Sequence, residues 1–133
     1  MFLIPYKMPE LELTILLGIH HPLTVLGISS SCEALGYPVD SVSSTEEMLA
    51  KIKQREYKRY IMDLNLGHRN SPSIVPAIMI YDVVREQIES QRAKFLGIAT
   101  NQQALAAARE IGIPAIDKLG LDILTLAKFF EGA

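Results

Sequence analysis

The sequence lacks tryptophan and has one cysteine, Cys32, among 133 residues. A lone thiol excludes an internal disulfide and suits a reducing compartment. No apolar run approaches the roughly 20 residues that span a bilayer. The longest, Ile15–Ile19 with its neighbours and Ile74–Tyr81, are interrupted by Gly18 and Pro76. Met1 to Met8 carries Lys7 but lacks the apolar core and small-residue site of a signal peptide. A soluble, cytoplasmic protein with no membrane partner is therefore expected. Charge of one sign is missing too: 13 Lys and Arg stand against 15 Asp and Glu, a net charge of −2. Bulk attraction to nucleic acid is thereby excluded. Repeats, low-complexity tracts and Pro/Gly/Ser-rich linkers are absent, so residues 1–133 read as one domain, with a core from about 12 to 131.

What is present is ordinary globular material, 49% apolar and 21% charged. Short apolar runs alternate with helix-length amphipathic stretches. Leu13–Ile19 reads as a strand covered on both faces. It ends at His20-His21-Pro22, where proline suits the first turn of a helix. Val25, Ile28, Cys32 and Leu35 then recur at helical spacing, and Gly36 stops them. Cys32 is expected to be a small core residue. Tyr37–Val42 is strand-like, and Ser44 with Glu47 makes a capping box for a helix whose Met48, Leu49 and Ile52 share a face. The basic stretch from Lys51 through Lys53 and Arg55 to Lys58-Arg59 reads as a solvated helix end. Tyr60–Leu64 is the third strand. After the polar loop His68–Ser73, a helix runs to about Gln91 with Ile78, Val83 and Ile88 expected to face inward. Phe95–Ala99 is a strand, Gln102–Ile111 a helix and Ile113–Ile116 a short strand. Leu121–Phe130 closes the chain with Leu124, Ala127 and Phe130 on one stripe.

Five strands each followed by a helix imply an α/β fold with right-handed crossovers and helices on both faces. The expected form is a flavodoxin-like (βα)5 doubly wound parallel sheet of order 2-1-3-4-5, with its site at the carboxyl ends of the strands near the switch point. That edge gathers His20, His21, Asp63, Thr100 and Lys118. A carboxylate, a hydroxyl and an ammonium converging there suit phosphoryl transfer to the carboxylate. Thr100 is equally suited to cap the helix that follows. The two adjacent histidines point apart at a strand end, and His68 alone adds no third zinc-like ligand at suitable spacing.

Ile61-Met62-Asp63-Leu64-Asn65-Leu66, the Leu35-Gly36-Tyr37 turn with Val39, Thr100 and Lys118 together resemble the receiver domain of response regulators, over about 13 to 130. The resemblance implies a stand-alone, non-enzymatic module of a two-component phosphorelay, with Asp63 at the phosphoacceptor position and Thr100 and Lys118 beside it. It implies a histidine kinase or phosphotransfer protein and an output protein as partners. A homodimer through the fourth helix and the last strand and helix is also in keeping with it. Four features depart from the family, one of them an interval from Thr100 to Lys118 shorter than typical, which suggests a trimmed fourth loop or helix. Ile19 and His20 stand where receivers carry the acidic pair that holds Mg²⁺, Ala115 replaces the aromatic switch residue, and Leu119 replaces the proline after the lysine. The sequence thus resembles an atypical or pseudo-receiver, in which Mg²⁺ binding is weakened, no cofactor is firmly implied and Asp63 is expected to pair permanently with Lys118. Its alternative role is a phosphate-independent interaction module. A flavodoxin-like small-ligand binder ranks last, because Gly18-Ile19-His20-His21-Pro22 lacks the spaced glycines of a phosphate loop.

Overall fold

The computed structural model describes residues 14–68 and 71–131. Leu13, counted above in the first strand, lies outside them. The elements are β1 (Ile15–Gly18), α1 (Pro22–Ala34), β2 (Val39–Val42), α2 (Thr45–Gln54), β3 (Arg59–Asp63), α3 (Val75–Glu89), β4 (Lys94–Ala99), α4 (Gln102–Glu110), β5 (Ala115–Asp117), a short 3₁₀ turn at Lys118–Gly120, and α5 (Ile123–Phe130). The sheet has the expected order β2-β1-β3-β4-β5, and every pairing is parallel.

Alternation along the strands feeds two cores. Ile15, Leu17, Ile61, Leu96 and Ile98 pack against Ile28 and Cys32 of α1 and Leu126 and Phe130 of α5. Leu16, Tyr60, Met62 and Phe95 face the other way, onto Met48 and Ile52 of α2, Ile80 and Val84 of α3 and Leu105 of α4. A sheet so covered explains why β1 and β3 are buried at every residue. The helix boundaries follow local chemistry. The Oγ of Ser44 accepts from Glu47 N–H, while Glu47 Oε1 accepts from Ser43 N–H at 2.9 Å. Pro22 opens α1, and Gly36 takes a left-handed φ of 92° after its last turn.

Five readings of the sequence need correction. In α3, Ile78 and Val83 are exposed and Ile88 only partly buried; the inward residues are Pro76, Ala77, Ile80 and Val84. A spacing of five drifts off a helical face, whereas Ala77, Ile80 and Val84 keep the three-and-four rhythm. In α5, Leu124 is exposed and the stripe is Leu126 with Phe130. β2 starts only at Val39, opposite Ile15 of β1, because the N–H of Tyr37 still closes the turn after α1 on the Cys32 carbonyl at 3.0 Å. β5 is shifted to Ala115–Asp117, its first pairing set by Gly97 of β4. Arg59 does not belong to a solvated helix end. It begins β3, 2% exposed, and its guanidinium donates to the carbonyls of Phe129, Phe130 and Glu131 at 2.9–3.2 Å.

Candidate functional site

Parallel pairing aligns the ends of β1, β3, β4 and β5 at one edge, and the side chains just beyond them make the site. Asp63 ends β3 beside Ile98 of β4, and its side chain is 1% exposed. A carboxylate this deep needs partners. Lys118 Nζ, from the 3₁₀ turn after β5, lies 3.0 Å from Oδ1. The contact is an ion pair whose angles fall outside hydrogen-bond geometry, so Oδ1 accepts no hydrogen bond. Oδ2 accepts from the backbone N–H of His20 at 3.0 Å. The end of β1 therefore presents a donor to the carboxylate, where an acidic side chain would present a metal ligand.

The imidazole of His20 lies between two groups. Its Nδ1 is 3.4 Å from Asp63 Oδ2 and 3.4 Å from the N–H of Gly67. One nitrogen cannot donate to the first while accepting from the second. The Gly67 N–H satisfies donor geometry, so Nδ1 is its acceptor whenever the ring is neutral. Gly67 can offer its N–H because a φ of 85° turns the loop there. Asn65 braces the same loop, its Nδ2 donating to the carbonyls of His68 and Ser71 at 3.1 and 2.9 Å. His21 caps α1, its Nδ1 accepting from Leu23 N–H at 3.2 Å.

Above Asp63 opens a polar cleft of about 620 Å³, lined by His20, His21, Thr24, Asn65, Thr100, Asn101 and Lys118, with Ala99 as its apolar element. Two of the three residues singled out in the sequence, Thr100 and Lys118, line this cleft, and Asp63 lies beneath it. Thr100 does not cap α4. Asn101 does, its Oδ1 accepting from Ala104 N–H at 3.1 Å. His68 joins neither His20 nor His21 in the cleft lining; it lines a separate hollow with Thr45 and Met79. Ala115 is buried, and its carbonyl accepts two bonds from Arg109. Sequence reasoning missed the roles of the His20 and Gly67 backbones, because backbone donors carry no side-chain signature. The glycine two residues past Asn65 was the available signal.

No protein-family model matches the chain. No curated protein matches it either. Solved structures do. The receiver domain of a sensor histidine kinase from Pseudomonas aeruginosa, with a magnesium ion coordinated in its active-site cleft, aligns at TM-score 0.64 and 21% identity, covering 88% of this chain and 93% of that one. A CheY-like response-regulator receiver domain from Methylobacillus flagellatus aligns at 0.63 and 20%, covering 88% and 94%. The chemotaxis response regulator CheY4 of Vibrio cholerae aligns at 0.66 and 18%, again covering 88% and 94%. The fold is that of a response-regulator receiver domain.

Within this receiver fold the residues do not fit the magnesium of the first neighbour. Mg²⁺ takes carboxylate and water oxygens in an octahedron. Asp63 is buried between an ammonium and an N–H donor, and no carboxylate appears in the cleft lining. Among the described residues no group of three or more His, Cys, Asp or Glu could hold a metal. No described helix is long and apolar enough to cross a membrane.

Proposed function

We propose that the chain is a receiver-like signal-transduction module in which Asp63 is held in one neutralised state, and which acts by binding an output protein rather than by metal-dependent phosphorylation. The observation that carries this reading is the buried Asp63–Lys118 pair at 3.0 Å, in a site where His20 N–H takes the other carboxylate oxygen. To attack phosphorus, a carboxylate oxygen must approach an anionic donor in line, with a cation to offset their repulsion. Here both oxygens are engaged and covered, which lowers their nucleophilicity and their reach. Lys118 neutralises Asp63 at rest, so little cationic charge is left for the incoming group. Ala115 offers no ring to reorient as a readout. The module is a binder, with no catalytic turnover of its own.

The competing reading is a working phosphoacceptor served by a histidine kinase or phosphotransfer protein. It is favoured by the placement of Asp63, Thr100 and Lys118 at one strand edge. Incubation with a small acyl phosphate, with and without Mg²⁺, followed by intact mass measurement separates the two. The expected result is an unchanged mass under both conditions. A phosphoryl gain in the wild type that is lost in Asp63→Asn overturns the proposal.

A further inference from the structure

Helix α3 keeps an apolar outer face that no neighbour covers. Val75, Ile78, Met79 and Val83 are 40–56% exposed. Three of them, Val75, Met79 and Val83, stand four residues apart and form one ridge along the helix. Ala77, Ile80 and Val84 already bury the opposite face, so this ridge takes no part in the core. A hollow of about 370 Å³ between α2 and α3 widens it sideways, past Met79 and Pro76 to Leu49. Exposed apolar side chains gathered in this way mark an association surface.

Two properties of the face select its occupant. The ridge matches itself: a half turn about Met79 exchanges Val75 with Val83. A two-fold interface requires such self-complementarity. The charges are arranged the other way. Residues 71–81 carry none, whereas Asp82, Glu86 and Glu89 make the second half of α3 acidic, with Arg85 and Arg92 as exposed partners that screen it only in part. These acids stand near the negative end of their own helix dipole. The last turn of α3 has no base and its first turn no acid. A second α3 laid antiparallel improves both ends together, because the acidic half of each copy meets the uncharged half and positive pole of the other. A parallel neighbour would set acid against acid.

We propose that this face joins two copies of the chain, with α3 antiparallel on α3, Met79 at the two-fold axis and Val75 of each copy against Val83 of the other. The face differs from the one that the receiver resemblance implies, where α4 turns Gln102, Gln103, Arg109 and Glu110 outward. Four half-exposed apolar side chains per copy make a contact below about 1,200 Å², in the range of weak, reversible association. The contact lies away from the cleft over Asp63 and goes beyond the proposed function, since it holds whatever the state of that carboxylate.

Sedimentation velocity of the full chain, from about 10 μM to about 1 mM, tests the proposal. The wild type should pass from the 14.8 kDa monomer to a dimer with a Kd of about 100 μM. Met79→Glu sets two like charges face to face on the axis and should weaken association at least about tenfold, with an unchanged thermal midpoint. Val83→Ser, a milder change at the end of the ridge, should weaken it about threefold and serves if Met79→Glu fails to fold. Asp82→Lys reports the orientation. An antiparallel pair brings the new cation to the positive end of the other helix and should bind about threefold more weakly, whereas a parallel pair would bind more tightly. Leu124→Glu, at an exposed position of α5, should leave association unchanged. A wild type that stays monomeric throughout overturns the inference. So does a dimer that ignores both ridge substitutions, tightens with Asp82→Lys or dissociates with Leu124→Glu.

Discussion

At the scale of single residues, the chemistry turns on a carboxylate that water cannot reach. Asp63 is tolerated because Lys118 and the His20 N–H compensate it. Removing one partner of a buried pair leaves the other charge uncompensated, which costs more than removing both. Lys118→Met should therefore destabilise the fold by about 3 kcal/mol, the low end of such losses because Lys118 itself is partly exposed. The double variant Asp63→Leu/Lys118→Met should return to within about 1 kcal/mol of the wild type. Urea unfolding of the three proteins measures both numbers. A single variant as stable as the wild type would mean that the ammonium does not hold the charge.

At the scale of elements, two residues in the strands fix what packs on them. Arg59 is a buried cation that pairs with no carboxylate among the described residues, and burial lowers its pKa from the ordinary arginine value. It is held by the carbonyls at the carboxyl end of α5, the negative end of a helix dipole, and its guanidinium lies 5.7 Å from the centre of the Phe129 ring. Arg59→Met should cost about 2 kcal/mol, and hydrogen exchange should show α5 losing protection before the sheet does. Gly97 in β4 lies where an added Cβ would run into the side chain of Leu64. Leu64 is fully buried, so it gives way only by pressing on the core around it. Gly97→Ala should lower stability by about 1–3 kcal/mol, read as a fall in the thermal midpoint.

At the scale of the whole molecule, burial of acidic groups in their protonated form sets the alkaline limit. Desolvation, with a smaller contribution from Glu33, pushes the Cys32 thiol from 9.0 up to about 12. Burial, aided by the bond to Asp40, also raises the Tyr57 hydroxyl. Above pH 9.0 the unfolded chain loses the thiol proton while the folded one keeps it. The contribution is complete below that pH and declines as pH rises toward about 12. The thermal midpoint should thus fall steadily above pH 9, and less steeply in Cys32→Ala. An equal slope in both proteins would show that the thiol has no part in the alkaline loss.

The pattern of apolar runs alone determined the five βα units, their parallel order and the strand edge on which Asp63, Thr100 and Lys118 meet. These follow from periodicity and from the handedness of crossovers, which are local or general rules. The outward turn of Ile78 and Leu124 was not legible, because a helix rich in apolar residues offers more than one stripe and only its neighbours select among them. Arg59 looked like part of a basic surface run. Its burial depends on carbonyls some seventy residues away, a distance no local window spans. The sequence named Asp63 and the missing acids around it. The pairing with Lys118 was legible there too, but only the tertiary structure decided that a backbone N–H of His20 stands where an acid would, because the ends of β1 and β3 adjoin nowhere but in the folded sheet.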